Sequence, residues 1–337
     1  MRDFLRLPDD LKRAAYLQVE QSKGLPATSV EKDLWVCLTL RELFSLSGIG
    51  DKLTFKGGTS LSKAWGIIER FSEDIDIVVD KELLGIDPSE VPVFPCSKSQ
   101  QDKWKKRLDK ASNEWMKSDL IPALHAAFDG LGCQIDYVDK SPGSVQIKYP
   151  SVFVRDGGGY VGDKVKIEPG ARPENYPRDE RLITAYVFEE IPTLSSEGGF
   201  NVRAISPLRT FWEKVCLLHE DRLRPVDKPR KAERLSRHYY DVWCMDKKGE
   251  AGKAIADAEL LRQIVLERRV SYSVPWADYD SLTYGNFRIL PNDADLVFWR
   301  SDYETMRKEM FFGDSPDFGQ LMEQLRELEG RLNGAGR

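Results

Sequence analysis

The chain has 337 residues, enough for about two domains of ordinary size, and a 41% hydrophobic composition supplies cores that need no disulfide or metal staple. Lys and Arg number 50 against 55 Asp and Glu, a net charge of −5 that excludes a basic coat for nucleic acid over the whole surface. The five cysteines, Cys37, Cys96, Cys133, Cys216 and Cys244, are scattered with no CxxC pair, which argues against a disulfide framework or a thiolate zinc site and for a reducing, cytoplasmic setting.

The first residues carry charges throughout and lack the apolar run of a signal peptide. No stretch reaches the ~18 consecutive apolar residues of a membrane span, so no membrane association is expected. Residues 9–23 and 29–47 read as helices, the second N-capped by Ser29, with an apolar face of Leu34, Val36, Cys37, Leu40, Leu43 and Phe44. Gly48 and Gly50 end it. Residues 53–56 then read as a short strand breaking on Gly57 and Gly58, residues 59–71 have helical periodicity, and residues 73–80 alternate charged and apolar like a half-buried strand.

A Pro-rich irregular connection over 86–101 leads into a charged helix at about 101–129 that carries Trp104, Trp115, Leu120, Leu124 and Phe128. Residues 144–154 and 160–168 flank Arg155-Asp-Gly-Gly-Gly159, a hairpin signal in which the glycines serve the turn rather than a phosphate. The chain reads as loop from Pro169 to about 182, as one or two strands near 182–204, and as helix from Ser206 through most of the remainder. A domain boundary is placed near 205, giving domains at 1–205 and 206–337. No internal repeat is present.

The chemistry concentrates in Lys56-Gly-Gly-Thr-Ser-Leu-Ser-Lys63 and, after a helix, Arg70-Phe-Ser-Glu-Asp-Ile-Asp76. Two glycines between a strand and a helix let the backbone approach a phosphate, and the helix start offers free N–H groups and its positive dipole end. Thr59 or Ser60 can add a hydroxyl. Residues i and i+2 of a strand share a face, so Asp74 and Asp76 project side by side, an arrangement that clamps divalent cations through hard oxygen ligands. A paired metal site of that kind activates a hydroxyl and steadies departing pyrophosphate. Each piece has a plainer reading, a Gly-Gly turn and a solvated Asp-x-Asp strand edge. The combination gains weight because Ile75, Ile77, Val78 and Val79 make the strand otherwise apolar, where charges without a task are costly.

These residues, with Glu31-Lys32-Asp33, Phe211-Trp-Glu-Lys214 and Arg237-His-Tyr-Tyr-Asp241, resemble the AbiEii/AbiGii toxin family, which includes the MenT toxins, within the DNA polymerase β-like nucleotidyltransferases. The likeness spans roughly residues 30–245. It implies an α+β fold, a polymerase β-like palm of mixed sheet and helices followed by a mostly helical domain that contributes Lys214 and Asp241 to the cleft. By the same resemblance Gly57, Gly58, Thr59 and Ser60 cradle nucleotide phosphates, Asp74 and Asp76 hold Mg²⁺ or Mn²⁺, Lys214 meets the triphosphate and Asp241 completes the active site. Glu168, ending a strand beside the pair, is the candidate third carboxylate, although its alternation with Lys164 and Lys166 equally suits a solvated face. The implied activity is that of a growth-inhibiting toxin that moves a nucleoside monophosphate from an NTP to RNA, the tRNA 3′ end foremost, with a cognate antitoxin as partner in a type IV-like system.

Two basic segments bear on the acceptor. Between Arg222 and Arg237 seven basic residues, Arg222, Arg224, Arg230, Lys231 and Arg234 among them, face two acidic ones, a local net of +5. Between Lys98 and Lys117 the local net is +4, with Trp104 and Trp115 interleaved. Such clusters can hold phosphate backbones and stack bases, while the tryptophans read first as core anchors. Neither a P-loop nor GxGxxG nor HExxH occurs, and Cys216, one turn from His219, reads as a core thiol. The rival readings are a nucleotidyltransferase for a protein or small molecule, and a non-catalytic NTP- or RNA-binding regulatory module.

Overall fold

A computed structural model describes the chain except residues 141, 154–161, 172–173, 196–197, 226, 229, 231–233, 273 and 336–337. Two compact units are present. A sheet unit comprises Met1–Gly66, Phe71–Glu90 and Lys106–Ile205, and a helical unit comprises Ile67–Arg70, Val91–Lys105 and Ser206–Arg337. Among the described residues no helix is long and apolar enough to cross a membrane.

The sheet unit opens with α1 (Arg2–Leu5), α2 (Asp9–Lys23) and α3 (Ala27–Ser45), followed by β1 (Leu53–Lys56), α4 (Gly57–Lys63) and β2 (Asp74–Val79). Next come α5 (Lys98–Trp115), of which residues from 106 onward belong here, α6 (Ile121–Ala127), β3 (Gln134–Val138), β4 (Ser144–Lys148), β5 (Lys164–Gly170), β6 (Arg178–Ile183), α7 (Tyr186–Glu190) and β7 (Phe200–Ile205). The described strands form one mixed seven-stranded sheet in the order β3-β4-β5-β2-β1-β7-β6. At its centre β2 runs antiparallel to β1 and parallel to β5. The fold is therefore α+β. Ile75 and Ile77 of β2 are fully buried, each worth about 2 kcal/mol of apolar burial, and fix which face of the strand its aspartates occupy.

Several expectations need correction. α3 starts at Ala27 with Pro26 at its N-cap, and Ser29 lies inside the first turn, buried, its N–H donating to the Pro26 carbonyl. Proline's fixed φ and missing N–H are compatible with a helix start, and no side chain caps this one. The helix after β1 stops at Lys63 instead of continuing to 71, because Gly66 turns left-handed at φ +60° and the chain leaves the helical path. The long helix expected at 101–129 is α5, a π-helical turn at Met116–Leu120, and α6. Pro122 lacks an N–H and its ring crowds the carbonyl four residues back, which a widened turn relieves. β6 begins at 178 within the expected loop. Its polar sequence RDERLI suits a sheet edge, where charge discourages pairing with another chain. β4 and β5 pair antiparallel as a hairpin would, while the triple-glycine turn lies outside the described residues.

The helical unit contains α8 (Pro207–Arg222), N-capped by Ser206, then α9 (Arg237–Lys247), α10 (Glu250–Ala256), α11 (Ala258–Ser271), α12 (Leu296–Met310) and α13 (Phe318–Gly334). Asp302 of α12 caps the start of α9, accepting from the Arg234 and Ser236 N–H groups and from the Ser236 hydroxyl. That cap fixes where the Arg237–Asp241 turn begins.

Candidate active site

On β2, Asp74 and Asp76 share one face and are half-buried. The register sets Asp76 opposite Lys56 of β1 on one side and Glu168 of β5 on the other, with Asp74 opposite Lys166. Burial, then the charges of Glu168 and Glu73, push the Asp74 carboxyl up to about 6 against the pull of Lys166. A carboxyl raised by burial and then by acidic neighbours is one whose ionised form a dication would favour, so the pair fits a hard divalent metal. Glu168 is a register neighbour of Asp76, yet its own carboxylate ion-pairs with Lys166. Among the described residues no three His, Cys, Asp or Glu side chains converge as a ready-made metal cage.

Gly57 is bound to this face by sterics. It adopts φ +80°, and a Cβ built there would stand 2.2 Å from Asp76 Oδ2. Gly58 follows in the first turn of α4. Thr59 and Ser60 are both buried. The Thr59 hydroxyl donates to the Asp74 carbonyl and lies 2.9 Å from Ser72 Oγ, tying α4 to the aspartate strand. Any phosphate at this turn would therefore meet backbone N–H groups rather than the Thr59 side chain.

Three consecutive charged residues in α3 brace the same elements, all buried. They fan out by about 100° per residue, so each reaches a different partner. Glu31 accepts from the Ser151 hydroxyl and the Val152 N–H, and Lys32 pairs with Glu73. Asp33 pairs with Lys63 at 2.9 Å and accepts from the Tyr186 N–H at 2.6 Å. Lys63, at the end of α4, also sits 3.5 Å above the Tyr186 ring. Burial pushes its ammonium down, but Asp33 outweighs that and holds it above the ordinary lysine range. Lys32, Asp33 and Lys63 carry no assigned role in the sequence reading, since a charged triplet in a helix looks like a solvated face until its counter-ions are known.

In the helical unit, Lys214 of α8 and Asp241 of α9 meet directly, Nζ to Oδ2 at 2.9 Å. Arg70 joins them in a bidentate pair, Nε to Asp241 Oδ1 at 2.7 Å and Nη2 to Oδ2 at 2.8 Å. Asp241 has no solvent exposure. Burial pushes its carboxyl up, but Arg70 and Lys214 overcome this and hold it well below the usual carboxylate range. Burial, with Arg70 and Arg237 nearby, lowers the Lys214 ammonium against the pull of Asp241. His238 Nδ1 lies 3.3 Å from Lys214 Nζ. Arg70 is four residues from Asp74 in the chain, and Asp241 holds two cations in place rather than presenting a free carboxylate.

Among the described residues, three of the seven cations in the basic run have carboxylate partners. Arg224 pairs with Asp221 at 2.9 Å and lies over the Trp276 ring. Arg230 pairs with Asp221 at 2.7 Å and Asp295 at 3.1 Å, its side chain only 9% exposed, with its guanidinium over Trp299. Arg234 approaches Glu309 at 3.9 Å. Arg222 ends α8, half-buried, and Lys231 lies outside the described residues. The local net of +5 counted neither Asp221, one residue before the window, nor Asp295 and Glu309, distant in sequence. Trp104 and Trp115 are core residues at 3% and 4% exposure, closed to base stacking. Cys216 is a buried thiol pushed up to about 12, and His219 is neutral, accepting from the Arg288 N–H and donating to the Ser281 hydroxyl.

Among solved structures the chain is similar to MenT4, a nucleotidyltransferase toxin from Mycobacterium tuberculosis H37Rv, at 16% identity and a TM-score of 0.43, covering 98% of this chain and 99% of that one. No curated protein shows a significant match. A family model described as nucleotidyl transferase AbiEii toxin, type IV toxin–antitoxin system, matches residues 38–324. That span takes in the glycine turn, both aspartates, Lys214 and Asp241, and the chain belongs to the AbiEii nucleotidyltransferase toxins of type IV toxin–antitoxin systems.

Proposed function

We propose that this enzyme transfers a nucleoside monophosphate from an NTP to the 3′-terminal hydroxyl of tRNA with Mg²⁺, releasing pyrophosphate. Membership of the family carries the coarser statement, a nucleotidyltransferase toxin that uses an NTP and a divalent metal and has an antitoxin partner. The observation that carries the reading is the Asp74/Asp76 face of β2, closed on one side by Gly57, where burial and then the charge of Glu168 raise the Asp74 carboxyl to about 6. Asp74 and Asp76 are the residues proposed to hold Mg²⁺, which when bound neutralises phosphate charge and favours the ionised form of the attacking hydroxyl.

The chain's own residues set the rest. Gly57 and Gly58 supply a close backbone approach at the start of α4, and Thr59 keeps that helix against β2. Lys214 is proposed to meet the triphosphate, where an ammonium suits charge that grows as pyrophosphate departs. Asp241 keeps that lysine in place, and Arg70 keeps Asp241 in place.

A second reading, transfer to a protein or small molecule, is favoured by one observation: Arg224, Arg230 and Arg234 are engaged with carboxylates. The two readings separate in one assay. Purified protein, Mg²⁺ and each α-labelled NTP are incubated with intact tRNA and with tRNA whose 3′ end has been oxidised by periodate. Label on intact tRNA alone supports the 3′-end reading. Label on neither, with label on an added protein or small hydroxyl compound, moves the assignment to the second.

A further inference from the structure

Lys214 is held from two sides inside the helical unit. A protonated lysine has three N–H bonds and accepts none. One reaches Asp241 Oδ2 at 2.9 Å, and another reaches His238 Nδ1 at 3.3 Å. Because the ammonium can only donate, Nδ1 must be the bare nitrogen, with the ring hydrogen on Nε2. Burial, then Lys214 and Arg237, hold the imidazole well below its ordinary pKa, so it stays a neutral acceptor at physiological pH.

Asp241 does not cancel Lys214 alone, since both of its oxygens already serve Arg70. Two cations thus share one buried carboxylate, and Arg237 adds a third positive charge to the field at Lys214. A neutral histidine beside this group holds the lysine without removing its charge, as a second carboxylate would. An excess of positive charge at a nearly buried lysine is relieved by an anion, and among the described residues only Asp241 and His238 are seen to bond the ammonium.

We infer that His238 is a positioning residue for Lys214: with Asp241 it fixes two of the ammonium's three N–H bonds and aims the third at a phosphate oxygen of a polyphosphate. This role rests on the proposed nucleotidyltransferase reading and adds to it the residue that orients the phosphate-binding lysine.

The test uses the full chain and inorganic tripolyphosphate as probe, with affinity read by titration calorimetry for the wild type, His238→Leu and His238→Asn. Leucine fills space and accepts nothing, whereas asparagine can place an oxygen near the position of Nδ1. A hydrogen bond to a charged group is worth about tenfold or more in affinity. His238→Leu is therefore expected to weaken tripolyphosphate binding about tenfold, and His238→Asn to return to within about threefold of wild type. Equal affinities for all three folded proteins overturn the positioning role, as does a wild type that binds no tripolyphosphate. Should the leucine variant fail to fold, His238→Gln replaces it, because its acceptor falls near Nε2 instead. Glutamine is then expected to show the loss that asparagine avoids, and equal binding by the two overturns the role. Labelling of RNA by the wild type is followed in parallel. Labelling with no difference among variants removes the His238 role alone, and the ordered loss without labelling removes the RNA reading alone.

Discussion

Gly57 leaves no room for a side chain against Asp76: a Cβ at position 57 would stand 2.2 Å from the carboxylate oxygen Oδ2. The glycine also holds φ +80°, where an L-residue is strained by about 1–2 kcal/mol. Gly57→Ala should therefore push the Asp76 carboxylate out of line. Transfer activity is expected to fall by about a hundredfold or more, since a misplacement near 1 Å costs that much, with only a modest drop in melting temperature. Full activity in a folded Gly57→Ala protein would show that the contact does not matter to the chemistry.

Asp74, proposed as a metal ligand, ties metal binding to pH. Burial, then Glu168, raises its carboxyl to about 6 in the folded chain against an ordinary 3.8, so the native state binds its proton more tightly than the unfolded state does. Stability from this group is full below pH 4 and is lost as pH rises through about 6, a change of about 1–3 kcal/mol. In chelator, Asp74→Asn should melt higher than wild type at pH 8 and not at pH 4. Added Mg²⁺ should raise the wild-type melting temperature at pH 8 and leave the variant's nearly unchanged. Equal Mg²⁺ shifts in both proteins would take Asp74 out of the metal site.

Arg70 carries a separate expectation. Removing it leaves the fully buried Asp241 with Lys214 as its remaining ion-pair partner, and breaking a buried pair costs about 3–5 kcal/mol. Asp241 is held well below its ordinary pKa, so its contribution is present above the unfolded value and disappears as pH falls. In Arg70→Met the upward push of burial is less opposed, and the acid unfolding midpoint should move to higher pH. An acid titration followed by circular dichroism checks this, and an unmoved midpoint would contradict the assignment.

Arg230 separates charge that is counted from charge that is available. Its ion pairs with Asp221 and Asp295 predict that Arg230→Gln costs about 2–4 kcal/mol of stability. The slope of log affinity against log salt for tRNA should change by well under 1, the value for one lost phosphate contact. A reduced slope with unchanged stability would return Arg230 to the RNA interface.

The chemistry-bearing turn and strand were legible because their signals are local. Gly57-Gly58 before a helix and Asp74-x-Asp76 on an apolar strand depend on residues within 20 positions of one another. Glu168, opposite Asp76, was named from the family resemblance, while its alternation with Lys164 and Lys166 equally suited a solvated face, and the pairing of its carboxylate with Lys166 was not legible. Counter-ions distant in sequence were illegible. Glu31-Lys32-Asp33 carried the family resemblance without a role because Ser151, Glu73 and Lys63 are distant in sequence, and Arg230 looks like an RNA contact until Asp295 is placed beside it. Arg70 stood in the quoted motif without a role because its partner lies 171 residues away. The π-helical turn before Pro122 and the polar edge strand β6 were missed because one proline or one sheet position overrides the local pattern.

Nucleotidyl transfer that depends on the paired aspartates is read from where the label goes. Wild type and Asp76→Asn are incubated with tRNA and Mg²⁺, using each NTP labelled either at the α- or at the γ-phosphate. Wild type should place the α-label on RNA and release the γ-label as pyrophosphate, while the folded variant does neither. Transfer of the γ-label to RNA would exclude nucleotidyl transfer, and undiminished α-labelling by Asp76→Asn would exclude a need for the aspartate pair.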